Sequence, residues 1–370
     1  MDTERIVEKS IFVEPTFDVH FHCGRPHDFE ETIGIIKKEM EIIGLKKVLM
    51  LSLSFHTPNK HDYDQNLRCL AYKNLFNGAV YASASLKQDL DLTDEEASND
   101  YLKQAETYFD AGFDGMKFLE GHPSFIKLFG HLKGKRFDKM FAFLEENGIP
   151  FTIHNADPRG GWDINKVDAY ALKHGRFYGD GTFATFEECR DSVLELLKRY
   201  PKLKMCLAHG AFLNNEVDRP YFEEFMNYEN TTVDVAATGA TYNWSQDPDY
   251  FIPFIEKYQD KIKYGSDTHN SAPYDYEGWE WDIQFRPKLP RNVLMTDGKD
   301  FDMAGKKYSG LGISKEICRK IFYDNAIKEF GENPKKANLS WMEKEISELR
   351  EVYKDNEYKF NDLALIEKYL

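Results

Sequence analysis

Short apolar, β-prone runs alternate with helix-period segments along most of this chain, and that alternation restricts the fold more than any other feature. The runs fall at 13–19, 47–53, 79–86, 115–119, 150–153, 204–208, 232–236 and 261–264. Helical patterns lie between them at 28–43, 62–76, 97–111, 137–147, 186–200, 218–226 and 249–259, and another follows the last run at 314–330. Gly44, Gly112, Gly148 and Pro201 stand where helices should stop. This order favours parallel strand pairing, because parallel neighbours need a long crossover. Eight such units closing on themselves give an α/β fold of the (β/α)8 TIM-barrel type. A doubly wound open sheet is the alternative, but no Gly-x-Gly-x-x-Gly or Walker loop follows an early strand to support it.

A chain of 370 residues fits one barrel with insertions, read here as a single domain 1–370. The barrel core spans about 13–331, and a charged amphipathic tail at 332–370 should pack outside it as a helical extension. Long loops are expected after strands 5 and 8, at 155–185 and 269–313. Both leave the strand ends where barrels place active sites. Trp162, Tyr178, Trp279 and Trp281 mark them as ordered lids rather than disordered segments.

Other composition excludes more than it assigns. With 48 basic and 63 acidic residues the net charge is −15, and no Lys/Arg block offers a nucleic-acid surface. No apolar run approaches the roughly 20 residues needed to span a bilayer. The first residues show neither a basic n-region nor an apolar h-region, so no signal peptide is expected. Five cysteines, an odd number without a Cys-x-x-Cys pair, suit a reduced, cytoplasmic protein.

Chemistry-bearing residues gather at strand ends. His20 and His22 close the first run, and alternation along a strand puts both on one face, with Asp18 beside them. His154 closes the fifth run, His209 the sixth, and Asp267 follows the eighth; Lys117 lies within the fourth. A barrel brings these ends to one mouth although the outermost are roughly 250 positions apart in sequence. Imidazole and carboxylate ligands of this kind suit a divalent metal, first Zn²⁺, with Mn²⁺ and Fe²⁺ also accommodated.

At this point the chain resembles the amidohydrolase superfamily, and more narrowly the amidohydrolase-related branch that contains aminocarboxymuconate semialdehyde decarboxylase. The matching pieces are Phe17-Asp-Val-His-Phe-His-Cys-Gly24, Gly115-Met-Lys-Phe118, Gly148-Ile-Pro-Phe-Thr-Ile-His154, Leu207-Ala-His-Gly210, Tyr264-Gly-Ser-Asp-Thr268 and Ile321-Phe-Tyr-Asp-Asn-Ala-Ile-Lys-Glu-Phe-Gly331, in the family's order. The resemblance implies that His20, His22, His154 and Asp267 are ligands of one metal, that Asp267 also assists the reaction, and that His209 is the general base or electrostatic stabiliser. It also admits a two-metal site in which Lys117, carboxylated, bridges the ions and His154 and His209 hold the second. One metal is the first reading. The branch is often dimeric, so a homodimer is expected.

His56, His122, Arg159, Trp162 and Arg286 are candidates to touch substrate from the loops; the two histidines read equally well as solvent-facing loop residues, and for the other three an ordinary loop role is the commoner case. An arginine can hold a carboxylate bidentately. The expected activity is metal-dependent hydrolysis, with a metal-activated water attacking an amide, lactone or related C–N or C–O bond of a small, aromatic or carboxylate-bearing substrate. Metal-dependent non-oxidative decarboxylation on the same scaffold is the alternative. The second βα loop, 53–61, lacks the arginine found in the decarboxylases of the resembled family, which favours hydrolysis. An inactive binding barrel is the third reading, and the full ligand set argues against it.

Overall fold

The computed structural model describes residues 15–23, 29–57, 62–167, 169–268, 276–303 and 305–370. Eight parallel strands form one sheet in sequential order: β1 (Thr16–His22), β2 (Leu45–Leu51), β3 (Val80–Ala84), β4 (Gly115–Gly121), β5 (Phe151–Asn155), β6 (Met205–Leu207), β7 (Thr231–Asp234) and β8 (Ile262–Lys263). The sheet closes on itself. Val19 N–H donates to Tyr264 O at 3.0 Å, Asp267 N–H to His20 O at 2.8 Å and His22 N–H to Thr268 O at 2.8 Å. The protein is therefore a (β/α)8 TIM barrel, with every strand expected from the sequence in its place. Residues 13 and 14 of the first expected run lie outside the described residues.

Crossover helices include α1 (Phe29–Ile43), α2 (Gln65–Leu75), α3 (Asp94–Ala111), α4 (Asp138–Glu146), α5 (Phe186–Arg199), α6 (Arg219–Asn227) and α7 (Pro248–Lys257). Two begin with capping boxes: Thr93 and Glu96 start α3, and Thr185 and Glu188 start α5. Each cap satisfies otherwise orphaned N–H groups and is worth about 1 kcal/mol. The Thr185 box matters for the site, because it fixes where the long connection after β5 returns to the barrel.

Among its described residues, that connection carries two short helical turns, Arg159–Trp162 and Ala169–Lys173. The one after β8 differs from the loop expected. It holds a helix, Tyr276–Met295, and a hairpin of Asp300–Met303 with Lys306–Ser309. Pro287 and Pro290 lie inside that helix and masked its pattern in the sequence. Trp279 and Trp281, read as lid aromatics, lie outside the residues whose side chains are described. The tail forms two helices, Leu339–Val352 and Glu357–Glu367, capped by Asn338 and Asn356. No helix among the described residues is long and apolar enough to cross a membrane.

Candidate metal centre

The C-terminal end of β1 carries His20 and His22, and the first turn after β8 carries Asp267. Barrel closure brings them together. His20 Nε2 lies 3.2 Å from His22 Nε2 and 3.4 Å from Asp267 Oδ1, and His22 Nε2 lies 3.3 Å from the same oxygen. A tetrahedral ion with ligand bonds of about 2.0–2.1 Å has ligand-to-ligand edges of about 3.3–3.4 Å. The three atoms already form one such face. Two imidazole nitrogens this close compete for one proton unless a cation sits between them, so the donor set fits a divalent metal.

Asp234, at the end of β7, orients His20. His20 Nδ1–H donates to Asp234 Oδ2 at 2.9 Å, which turns the Nε2 lone pair toward His22 and Asp267. Asp234 Oδ1 also accepts the backbone N–H groups of His209 and Ala236, at 2.8 and 3.1 Å. Asp234 is not among the residues that the ends of the apolar runs nominate; its signal in the sequence is a carboxylate inside the seventh run, much as Lys117 lies inside the fourth.

His209 stands against His20, with ring centroids 4.8 Å apart. Its Nδ1–H donates to Ala236 O at 3.1 Å, leaving Nε2 as the acceptor nitrogen. Burial pushes its pKa down to about 4, and burial also holds His20 well below the ordinary range. Both imidazoles are therefore neutral at pH 7, as ligands and bases must be. His209 (φ 56°) and Asp267 (φ 55°) both adopt the left-handed region, which costs about 1–3 kcal/mol for a non-glycine residue and clusters at functional sites. Gly265 provides room beside them: a Cβ there would come within 2.7 Å of His20 Cβ and 2.9 Å of Ala236 Cβ.

Lys117 on β4 is fully buried, and its Nζ has no hydrogen-bond partner among the described residues. Burial lowers its pKa, opposed by the charges of Asp234 and Asp267. Asp18 is not among the converging atoms, despite its expected face. A register irregularity lies between Asp18 and Phe21, and Asp18 Oδ1 accepts N–H groups from His20 and Ser266. Burial raises its pKa to about 7.

His154 is placed differently from the trio. Its Nε2 faces Asp157 Oδ1 at 3.2 Å, in a second cluster with His122, whose Nε2 is 3.3 Å from Asp157 Oδ2. Tyr178, from the lid, donates to Asp157 Oδ2 at 2.6 Å. Burial would raise the Asp157 pKa, but hydrogen bonds from His122 and His154 hold it well below the usual carboxylate range. The His154 ring remains 5.0 Å from that of His209, so the two clusters adjoin.

The loop candidates divide. Arg286 reaches the centre, with Nη1 donating to Asp267 Oδ2 at 2.9 Å. Arg159 is held by Asp218 and Glu187, which occupy its fork. Trp162 donates to Ala184 O and packs on Tyr178 within the lid. His56 pairs with Thr57 O beside Phe125 and Phe129.

Comparison with known proteins agrees with this architecture. An uncharacterized TIM-barrel protein of Bordetella bronchiseptica superposes with a TM-score of 0.52 at 12% identity, over 86% of this chain and 99% of that one. The 4-oxalomesaconate hydratase of Rhodopseudomonas palustris gives a TM-score of 0.50 at 15% identity, over 90% and 99%. These likenesses concern the fold. No curated protein matches in sequence. A family model, described as amidohydrolase, matches residues 89–331, more than half of the chain and most of the barrel. The chain therefore belongs to the amidohydrolase family.

Proposed function

We propose that this protein is a metal-dependent hydrolase in which His20, His22 and Asp267 hold one divalent cation, zinc by ligand type. The carrying observation is the triangular convergence of these three side chains at 3.2–3.4 Å beside a neutral, correctly tautomeric His209. When bound, such a cation lowers the pKa of its water toward neutrality and polarises a carbonyl. His209 Nε2 takes a proton and later returns it to the leaving group. Asp234 keeps His20 oriented. His154 joins as a fourth ligand only by exchanging Asp157 for the cation. The substrate is a small amide, lactone or related molecule admitted past the lid carrying Trp162 and Tyr178. Five free, buried thiols support a reducing compartment, the cytoplasm.

Arg286 favours a second reading. A guanidinium 2.9 Å from Asp267 Oδ2 could hold a substrate carboxylate for non-oxidative decarboxylation. A panel of lactones, amides and aromatic carboxylates, assayed with zinc-loaded protein, separates the two. Acid product without CO₂ is expected, whereas CO₂ release would establish the lyase. Purified protein that neither carries nor takes up a divalent metal would overturn both.

A further inference from the structure

The C-terminal helix pair has no role in the reading above, yet three of its charged residues, Glu345, Lys359 and Asp362, are buried against connections at the barrel mouth. Lys359 Nζ lies 2.9 and 3.0 Å from the two oxygens of Asp64, the residue preceding α2. Asp362 Oδ1 accepts the backbone N–H of Phe29, the first residue of α1, at 2.8 Å, and its Oδ2 pairs with Arg68. Glu345 pairs with Lys87, just after β3. The connections after β1, β2 and β3 thus all end on the tail. Lys359, Asp362, Asp64 and Arg68 are each at most 3% exposed, so these are not surface ion pairs.

The contacts continue inward. Gln65, next to Asp64, accepts Leu53 N–H on Oε1 at 2.9 Å, and Cys23 Sγ lies 3.8 Å from the same oxygen. Cys23 follows His22 directly in sequence. A charge removed from a buried pair leaves its partner uncompensated in a low dielectric, and the backbone carrying that partner must shift to recover solvent.

We propose that the tail is a strap that sets the metal centre: Lys359 and Asp362 are positioning residues for His22, acting through Asp64, Gln65 and Cys23. The proposal rests on the reading of His20, His22 and Asp267 as metal ligands. It distinguishes the helix pair from a generic stabilising extension, because its buried charged residues, Glu345, Lys359 and Asp362, address the mouth connections.

Co²⁺-loaded full-length protein provides the test, through its visible absorption and its rate of metal release to EDTA. Lys359→Met and Asp362→Asn are expected to alter the absorption band and speed release about tenfold, the low end for residues that orient a ligand. Leu349→Ala removes a buried apolar side chain from the same tail, and it should lower stability while leaving band and release unchanged. Lys359→Arg keeps the charge, should fold in any case, and is expected to speed release about threefold by altered reach. Wild-type band and release in Lys359→Arg and in whichever of the other two variants fold would overturn the strap. So would an equal change in Leu349→Ala, which would reduce the tail to a stabilising role. A wild-type protein that takes up no Co²⁺ would instead overturn the metal reading itself.

Discussion

Two clusters at the barrel mouth have the same composition, two histidines and one aspartate, and opposite organisation. In His20, His22 and Asp267 the ligand atoms point at one another, with nitrogen facing nitrogen at 3.2 Å. In His122, His154 and Asp157 each imidazole addresses a separate carboxylate oxygen, and Tyr178 completes the second. The first arrangement leaves lone pairs converging and is relieved by a cation. The second satisfies its own hydrogen bonds without one. Residue type nominates both clusters alike, and the direction of the lone pairs tells them apart.

The largest effect should separate the clusters outright. His20→Ala is expected to remove the cation and reduce activity to background, while His122→Ala leaves about one metal ion per chain by elemental analysis. Metal loss in the second variant and retention in the first would exchange their roles.

Acid should reveal the first cluster next. The His209 pKa of about 4 compares with about 6.5 in an unfolded chain, so the unfolded state takes up the proton first as pH falls. His209 therefore contributes stability that is present above pH 6.5 and lost as pH drops to about 4, a difference of about 3 kcal/mol. Urea denaturation of metal-free protein should show that part of the pH dependence absent from His209→Gln.

A smaller change is expected from the carboxylate behind the trio. Asp234→Asn should weaken zinc affinity by about 10–100-fold, measured by competition with a chelator, because the His20 tautomer is no longer fixed. Tyr178→Phe, on the other cluster, should lower stability by about 1 kcal/mol and leave zinc affinity unchanged. A change in zinc affinity there would mean that the clusters share the ion.

Much of this was legible in the amino acids. Eight apolar runs separated by helical patterns specify a closed parallel barrel, since each crossover is long enough for one helix and few other closures serve eight such units. Strand-end positions of His20, His22, His209 and Asp267 follow from the same pattern, as local periodicity predicts which end of a strand a residue occupies. The helix at Tyr276–Met295 was not legible, because two internal prolines contradict its local preference and only packing overrides them. Arg159 illustrates the converse. Its position in a lid loop suggested substrate, and a buried Asp218 from a distant segment claimed it instead.

What the sequence determined by itself was the barrel, and the set of side chains that reach its mouth. Tertiary structure alone decided which of them face one another. Barrel closure between β1 and the turn after β8 made the trio, the backbone N–H groups of His20 and Ser266 engaged Asp18, and Asp157 engaged His154. Periodicity reports the face of a strand to within one side-chain direction, whereas ligand geometry depends on tenths of an ångström set by contacts between residues far apart in the chain.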